Sequence, residues 1–263
     1  MKHTAFLLAG LLVLIGALAP ALSAYDPDRT ALLARLLPPL GFGGSLAHPL
    51  GTDQLGRDML ARCLYGLRTS LGIALLGSLI GAAIGITVGL IAGLCRGRVD
   101  AVLMLIVDAQ LALPYLLIVL IAIAVFGTSM AVLIPLVSLA GWEHMARLVR
   151  GQVLMLRELP FVEAAQAIGA PPLRIMHRHL LPQLWPAIAV QLSLGVPAVM
   201  LLESSLSFLG IGVQPPTATL GRMIGEGRGQ MLGAWWIVTE PTVMMLMATL
   251  AIQIVADALR ARK

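Results

Sequence analysis

The amino-acid sequence predicts an all-α membrane protein with six transmembrane helices. Three observations carry that reading. Hydrophobic residues make up 59% of the 263 positions and charged residues only 12%, against about 25% charged in a soluble domain. Mean hydropathy is +0.92. Uncharged apolar runs of the ~20 residues needed to cross a bilayer recur along the chain. So few charges could not cover a surface in water, which argues against a water-soluble enzyme. The net charge of +5 fits cations gathered in inner loops better than a nucleic-acid partner.

The first predicted span is Thr4 to Tyr25, uncharged behind Lys2 and His3. Leu22-Ser23-Ala24 would also suit a signal peptidase, so residues 1–25 read as an N-terminal helix or a leader; either way the next segment starts outside. Residues 26–68 are polar and broken by Pro27, Pro38, Pro39 and Pro49. They read as an extracytoplasmic connector ending in a short amphipathic approach. Asp53, Arg57 and Asp58 in it read as pairing groups that shape the outer mouth.

Residues 69–258 form the main transmembrane unit, with five spans. Thr69 to Cys95 is uncharged and carries Gly77, Gly81, Gly85, Gly89 and Gly93 at steps of four. Each step turns about 400°, so the glycines make one drifting stripe where another helix backbone can come close. On that reading Gly85→Leu impairs assembly with partner spans. Arg96 to Asp100 is a charged turn. Helices are expected at about 101–125 and 129–148, parted by Gly127-Thr128-Ser129. An inner segment runs from about 150 to 185, a further span from about 186 to 209, a Gly/Pro/Thr-rich loop over 210–233, and the last span over 234–257. Residues 259–263 form a tail.

Six spans put both termini on one side. With the N-terminus inside, eleven Lys and Arg fall on the inner side and seven on the outer, so the positive-inside rule favours both termini in the cytoplasm.

The inner segment is the informative one. Glu163-Ala164-Ala165 opens a short helix of good helix formers that stops at Gly169. Pro171 and Pro172 interrupt it and open a second short helix ending near Leu181-Pro182. Two such helices form a docking knob, with small residues for a groove and arginines such as Arg174 for acidic partners.

Glu163-Ala164-Ala165, Gly169 six residues on, and Leu181-Pro182 at positions 19 and 20 resemble the EAA motif of ABC importer permeases. Arg178-His179-Leu180-Leu181-Pro182 is similar to the dipeptide/oligopeptide/nickel branch, although His179 stands where isoleucine is often found. His48 to Asp58, Gly97-Arg98-Val99-Asp100 and Glu203 to Pro216 also look like that branch's C-type subunits. The tail from Gln253 to Arg260 departs mildly from its pattern, as does Gln183 after the Leu-Pro.

The resemblance implies a type I ABC importer permease fold and a subunit that binds no cofactor itself. ATP would be bound by two ABC ATPase subunits, whose cleft receives the coupling helix. It also implies a homologous B-type permease subunit and a periplasmic or lipid-anchored substrate-binding protein. The cargo would be peptides, nickel or metal chelates, and the location a bacterial inner membrane.

Independently, the only lysines are Lys2 and Lys263, and neither ends a P-loop. Any ATP-driven work therefore needs another chain. Asp108 and Glu203 are ionisable groups at membrane depth, where they face protein or water. Pairing with an arginine near a helix end is the favoured reading, and lining a pathway for a cationic solute the other. Cys63 and Cys95 read as ordinary small residues. His177 and His179 point about 200° apart on a helix and cannot share a metal. Two other classes fit the sequence less well. A secondary transporter driven by an ion gradient would need internal halves that the chain lacks. An intramembrane protease at Ser129 would need a histidine on another helix, and His144 lies in the same one.

Overall fold

The computed structural model describes residue 10 and residues 14–260. Among them the regular structure is helical, with one isolated β-bridge between Thr52 and Asp58. The long helix α1 (Met59–Cys95) is followed by α2 (Gly97–Ala112) and α3 (Tyr115–Phe126). Then come α4 (Met130–Ser138), α5 (Trp142–Leu156), the short α6 (Pro160–Ala167) and α7 (Pro172–Ile175). A π turn over Met176–Leu180 leads into α8 (Leu181–Phe208), followed by α9 (Leu220–Gly227) and α10 (Trp236–Arg260).

Four stretches are long and apolar enough to cross a membrane: Met59–Cys95, Met130–Leu156, Leu173–Phe208 and Trp236–Arg260. The bent pair α2–α3 makes a fifth if counted as one span. The first predicted span falls largely outside the described residues; at its end Gly16 rests against Arg68 and Leu71 of α1.

Several boundaries differ from the sequence expectation. The approach to the second span is part of α1, because Asp58 caps the helix by accepting from the Ala61 amide at 2.7 Å. At 37 residues, α1 is about 55 Å long at 1.5 Å per residue, well beyond a ~30 Å hydrocarbon layer. The helix expected over 101–125 is two helices bent by 88°. Pro114 has no amide hydrogen to donate, and the residue before a proline avoids the helical region; Leu113 sits at φ −100°, ψ 139°. The helix expected over 129–148 runs on to Leu156 but is interrupted at Leu139–Gly141, where Gly141 adopts φ +86°. The span expected from 186 starts at Leu173. The loop expected over 210–233 contains α9, capped by the Thr219 hydroxyl.

The glycine stripe explains the close packing of α1 on α5. A Cβ on Gly85 would stand 2.6 Å from the Met145 Cβ, one on Gly89 2.8 Å from the Val149 Cβ, and one on Gly93 2.7 Å from the Val153 Cγ1. Only a hydrogen fits there. Gly85, Gly89 and Gly93 therefore meet this chain's own α5, and Gly77 meets Val137 of α4 and Val199 of α8. The register rises along both helices together, so α1 and α5 run parallel. This corrects the expectation that the stripe serves partner spans.

Three apolar clusters follow one another along the bundle. Met59, Cys63, Met223 and Trp236 gather at the connector end. Leu67, Leu71, Val119, Val137, Val199 and Leu206 fill the middle. Val149, Val153, Val162, Ile175, Leu180 and Leu184 close the end that carries α6.

Candidate functional site

The α6–α7 segment is held at one end of the bundle by apolar anchors and leaves its polar face uncovered. Pro160 opens α6, and Gly169 ends it at φ +79°. The Ala170 amide closes the turn by donating to the Ala165 carbonyl at 3.0 Å, the bond of a Schellman cap. Val162, Ala165, Ile175 and Leu180 are buried against Val149 and Val153 of α5.

Glu163, Ala164, Gly169 and Arg174 lie on the exposed side, and Pro182 is exposed at the start of α8. Leu181 is half-buried. The half-buried His179 ring packs near Phe161, with centroids 6.2 Å apart. The predicted site residues therefore divide into exposed groups and anchors, with Ala165 among the anchors. Two apolar residues not singled out from the sequence join the exposed set: Ile168 at 85% and Leu173 at 68% exposure. The signal for Ile168 lay in its place beside Gly169, past the last buried position of α6.

The second short helix is not separate. From α7 the chain passes through the five-residue π turn and on into α8, so Leu173–Phe208 is one element of 36 residues. Single π turns inside helices recur at functional positions. Basic side chains tie down the surrounding helix ends. Arg157 donates to the Gly93 carbonyl at 3.0 Å at the end of α1, where a cation complements the helix dipole. Arg150 grips Asp100 through two bonds of 2.5 and 2.7 Å.

Of the two intramembrane acids, Asp108 pairs with Arg147 at 2.5 Å and is more than half exposed. Glu203 has hydroxyl partners instead of an arginine: Ser70 at 3.2 Å, Ser207 at 2.7 Å and Ser204 at 3.4 Å. It is fully buried, at 0% exposure. Neither lines the cavity of about 360 Å³ between α1, α5 and α8. Its polar lining is Ser78, Tyr115, Glu143, His144 and Gln191. None of these was picked as a pathway residue from the sequence.

At the opposite end, the connector is bolted to α9. Arg57 bonds Asp53 at 2.6 Å and Glu226 at 3.3 Å. Arg62 reaches Glu226 at 3.4 Å and Asp53 at 3.5 Å, and Arg222 bonds Glu226 at 2.6 Å. Asp58, besides capping α1, meets His48 at 2.8 Å. The Trp236 indole donates to the Thr52 carbonyl at 3.0 Å.

Comparison with known proteins agrees with this architecture. Residues 85–263 match the family described as binding-protein-dependent transport system inner membrane component. The chain is 37% identical over 266 residues to the dipeptide transport system permease protein DppC of Bacillus subtilis, covering 99% of this chain and 82% of that one. It is 39% identical over 251 residues to the protein of the same name from Escherichia coli K12, covering 95% and 84%. A probable D,D-dipeptide transport system permease protein of the same organism is 33% identical over 250 residues, covering 95% and 82%. In fold, the chain is similar to an inward-facing structure of the MetNI methionine ABC transporter, with a TM-score of 0.64 at 19% identity over 78% of this chain and 98% of that one. The chain belongs to the family of binding-protein-dependent transport system inner membrane components, the multi-pass permeases of ABC importers.

Proposed function

We propose that this permease imports peptides by alternating access, driven by ATP hydrolysed on separate subunits. The peptide cargo rests on the relatives' names; nickel or a metal chelate is the other cargo that the sequence resemblance allows. A homologous permease would complete the pore, two ATPases would seat the α6 segment in the cytoplasm, and a binding protein would deliver cargo outside. The membrane is then a bacterial inner membrane, with both termini in the cytoplasm.

One observation carries the mechanism. The exposed segment is anchored to α5 through α6, and its second helix, which carries Leu173, is continuous with α8. Side chains of α8, including Gln191 and Val199, line the cavity. A push on the segment thus has two routes to the cavity wall, from α6 through α5 and from α7 through α8. ATP binding need only favour one arrangement of these helices over the other to shift which side the cavity faces.

The test is uptake into proteoliposomes containing all the subunits. Dipeptide import should require ATP and every partner, and this chain alone should import nothing. Import by the chain alone, or import driven by an ion gradient without ATP, would overturn the reading. Uptake of Ni²⁺ but of no dipeptide would reassign the cargo.

A further inference from the structure

The cavity between α1, α5 and α8 holds a carboxylate without a fixed counter-ion. Glu143 stands in the first turn of α5, next to the Gly141 break, and is 7% exposed. Its carboxylate accepts from the Gln110 side-chain amide at 3.3 Å, and Oε1 lies 3.2 Å from the His144 ring. Asp100 and Asp108 on the facing helix are paired with Arg150 and Arg147. Among the described residues no arginine or lysine lies within ion-pair distance of Glu143. Ionisable groups at membrane depth mark pathways when they face a cavity.

A second observation points the same way. The Ser78 hydroxyl, also on the cavity wall, is buried with no hydrogen-bond partner among the described residues. A buried polar group without a partner costs about 1–3 kcal/mol, so a visiting donor gains by meeting it. The cavity, at about 360 Å³, falls within the range of ~300–1,000 Å³ that holds small organic ligands. An ammonium group carries three donors and a full positive charge, which suits one carboxylate and one hydroxyl together.

We propose that Glu143, with Ser78, forms a transient binding point for ammonium groups of the cargo, so that a peptide with a second, side-chain ammonium passes in preference to one with a second carboxylate. This rests on the peptide-import reading above. A fixed cation in place of His144, whose ring lies 3.2 Å from that carboxylate, would compete with the cargo's ammonium group.

The experiment measures ATP-driven uptake of Lys-Ala and Asp-Ala by the complete transporter, each presented on saturating binding protein, so that the ratio reports the membrane step. In Glu143→Gln the Lys-Ala to Asp-Ala ratio should fall about tenfold, the equivalent of 1.4 kcal/mol. Glu143→Asp should keep most of the preference. His144→Arg should lower the ratio in the same direction and serves as the deciding variant if Glu143→Gln does not assemble. An unchanged ratio in assembled Glu143→Gln, or in His144→Arg where that variant decides, overturns the site while leaving peptide import intact. A wild-type transporter that takes up neither dipeptide overturns the reading beneath it, and the site with it.

Discussion

Glu203 shows how a single carboxyl can join three parts of a membrane bundle. Ser70 of α1 donates to it and at the same time accepts from the Leu220 amide at the start of α9. Ser207 of α8 donates to its other oxygen and accepts from the Val213 amide. Removing the carboxyl orphans these hydroxyls in a site from which water is excluded. Glu203→Leu should therefore destabilise the detergent-purified subunit by about 1–3 kcal/mol per lost partner, whereas Glu203→Gln should keep most of the stability. Thermal unfolding measured by tryptophan fluorescence distinguishes the two; equal midpoints would mean that the carboxyl is not the link. Arg62 is a similar case. Its guanidinium is buried between Glu226, Asp53 and Asp28, and Arg62→Ala leaves those acids without it. A loss of about 3–5 kcal/mol is expected for breaking a buried pair from one side, read in the same assay; an unchanged midpoint would remove Arg62 from the framework.

The sequence exposed these acids as costly at membrane depth but not their partners. For Asp108 the pairing with an arginine was the simpler reading, and Arg147 supplies it. For Glu203 the serines that satisfy it come from α1 and from the next turn of α8, and sequence spacing reveals only the second of these. The same limit hid Glu143. It sits one residue past Trp142 at the edge of an apolar run, and only the packing of α8 against α1 turns that position into a cavity wall.

At the scale of elements, the periodic features were the legible ones. Five glycines at steps of four made α1 a close-packing helix before its partner was known, and the partner proved to lie in the same chain. Gly85→Leu should thus damage the isolated subunit itself: overpacking costs about 1–3 kcal/mol or more, visible as a lower unfolding midpoint before any partner is added. An isolated subunit as stable as wild type that failed only to co-purify would place the stripe at an intersubunit surface instead. Helix α9 was missed because glycine-rich sequence reads as loop. Its glycines serve contact: a Cβ on Gly225 would stand 2.8 Å from the Phe208 carbonyl oxygen, and one on Gly227 2.8 Å from the Ile237 Cγ2. The Arg222–Glu226 pair, four residues apart, was the available helix signal. The break at Pro114 was legible in principle, since proline is a known stop, but a long apolar run masked it.

At the scale of the whole molecule, two ends do different work. The connector end is locked by a lattice of arginines and carboxylates around Glu226. The other end presents Glu163 on α6, Ile168 in the turn after it, and Leu173 on α7, which feeds into α8. The distinction predicts sidedness. In a Cys95→Ser background, where Cys63 is the remaining native thiol and is buried, Ile168→Cys should react with a membrane-impermeant maleimide only when the reagent reaches the cytoplasmic face. Labelling of intact cells from outside would invert the topology. The EAA-like spacing made the α6–α7 segment legible in the sequence because its shape depends on local features, a short helix, a glycine stop and a proline restart. The continuity of its second half with α8 was not legible, because Leu181-Pro182 reads as the end of the second short helix, whereas Pro182 stands in the first turn of α8, where a missing amide hydrogen costs little.

The most direct test of coupling is the number of dipeptides imported per ATP hydrolysed by the reconstituted transporter. With Glu163→Lys, the assembled complex should keep hydrolysing ATP while imports per ATP fall about tenfold or more, a loss of roughly 1.4 kcal/mol in coupling. An unchanged ratio in a fully assembled Glu163→Lys complex would contradict the claim that this segment carries the power stroke into the membrane.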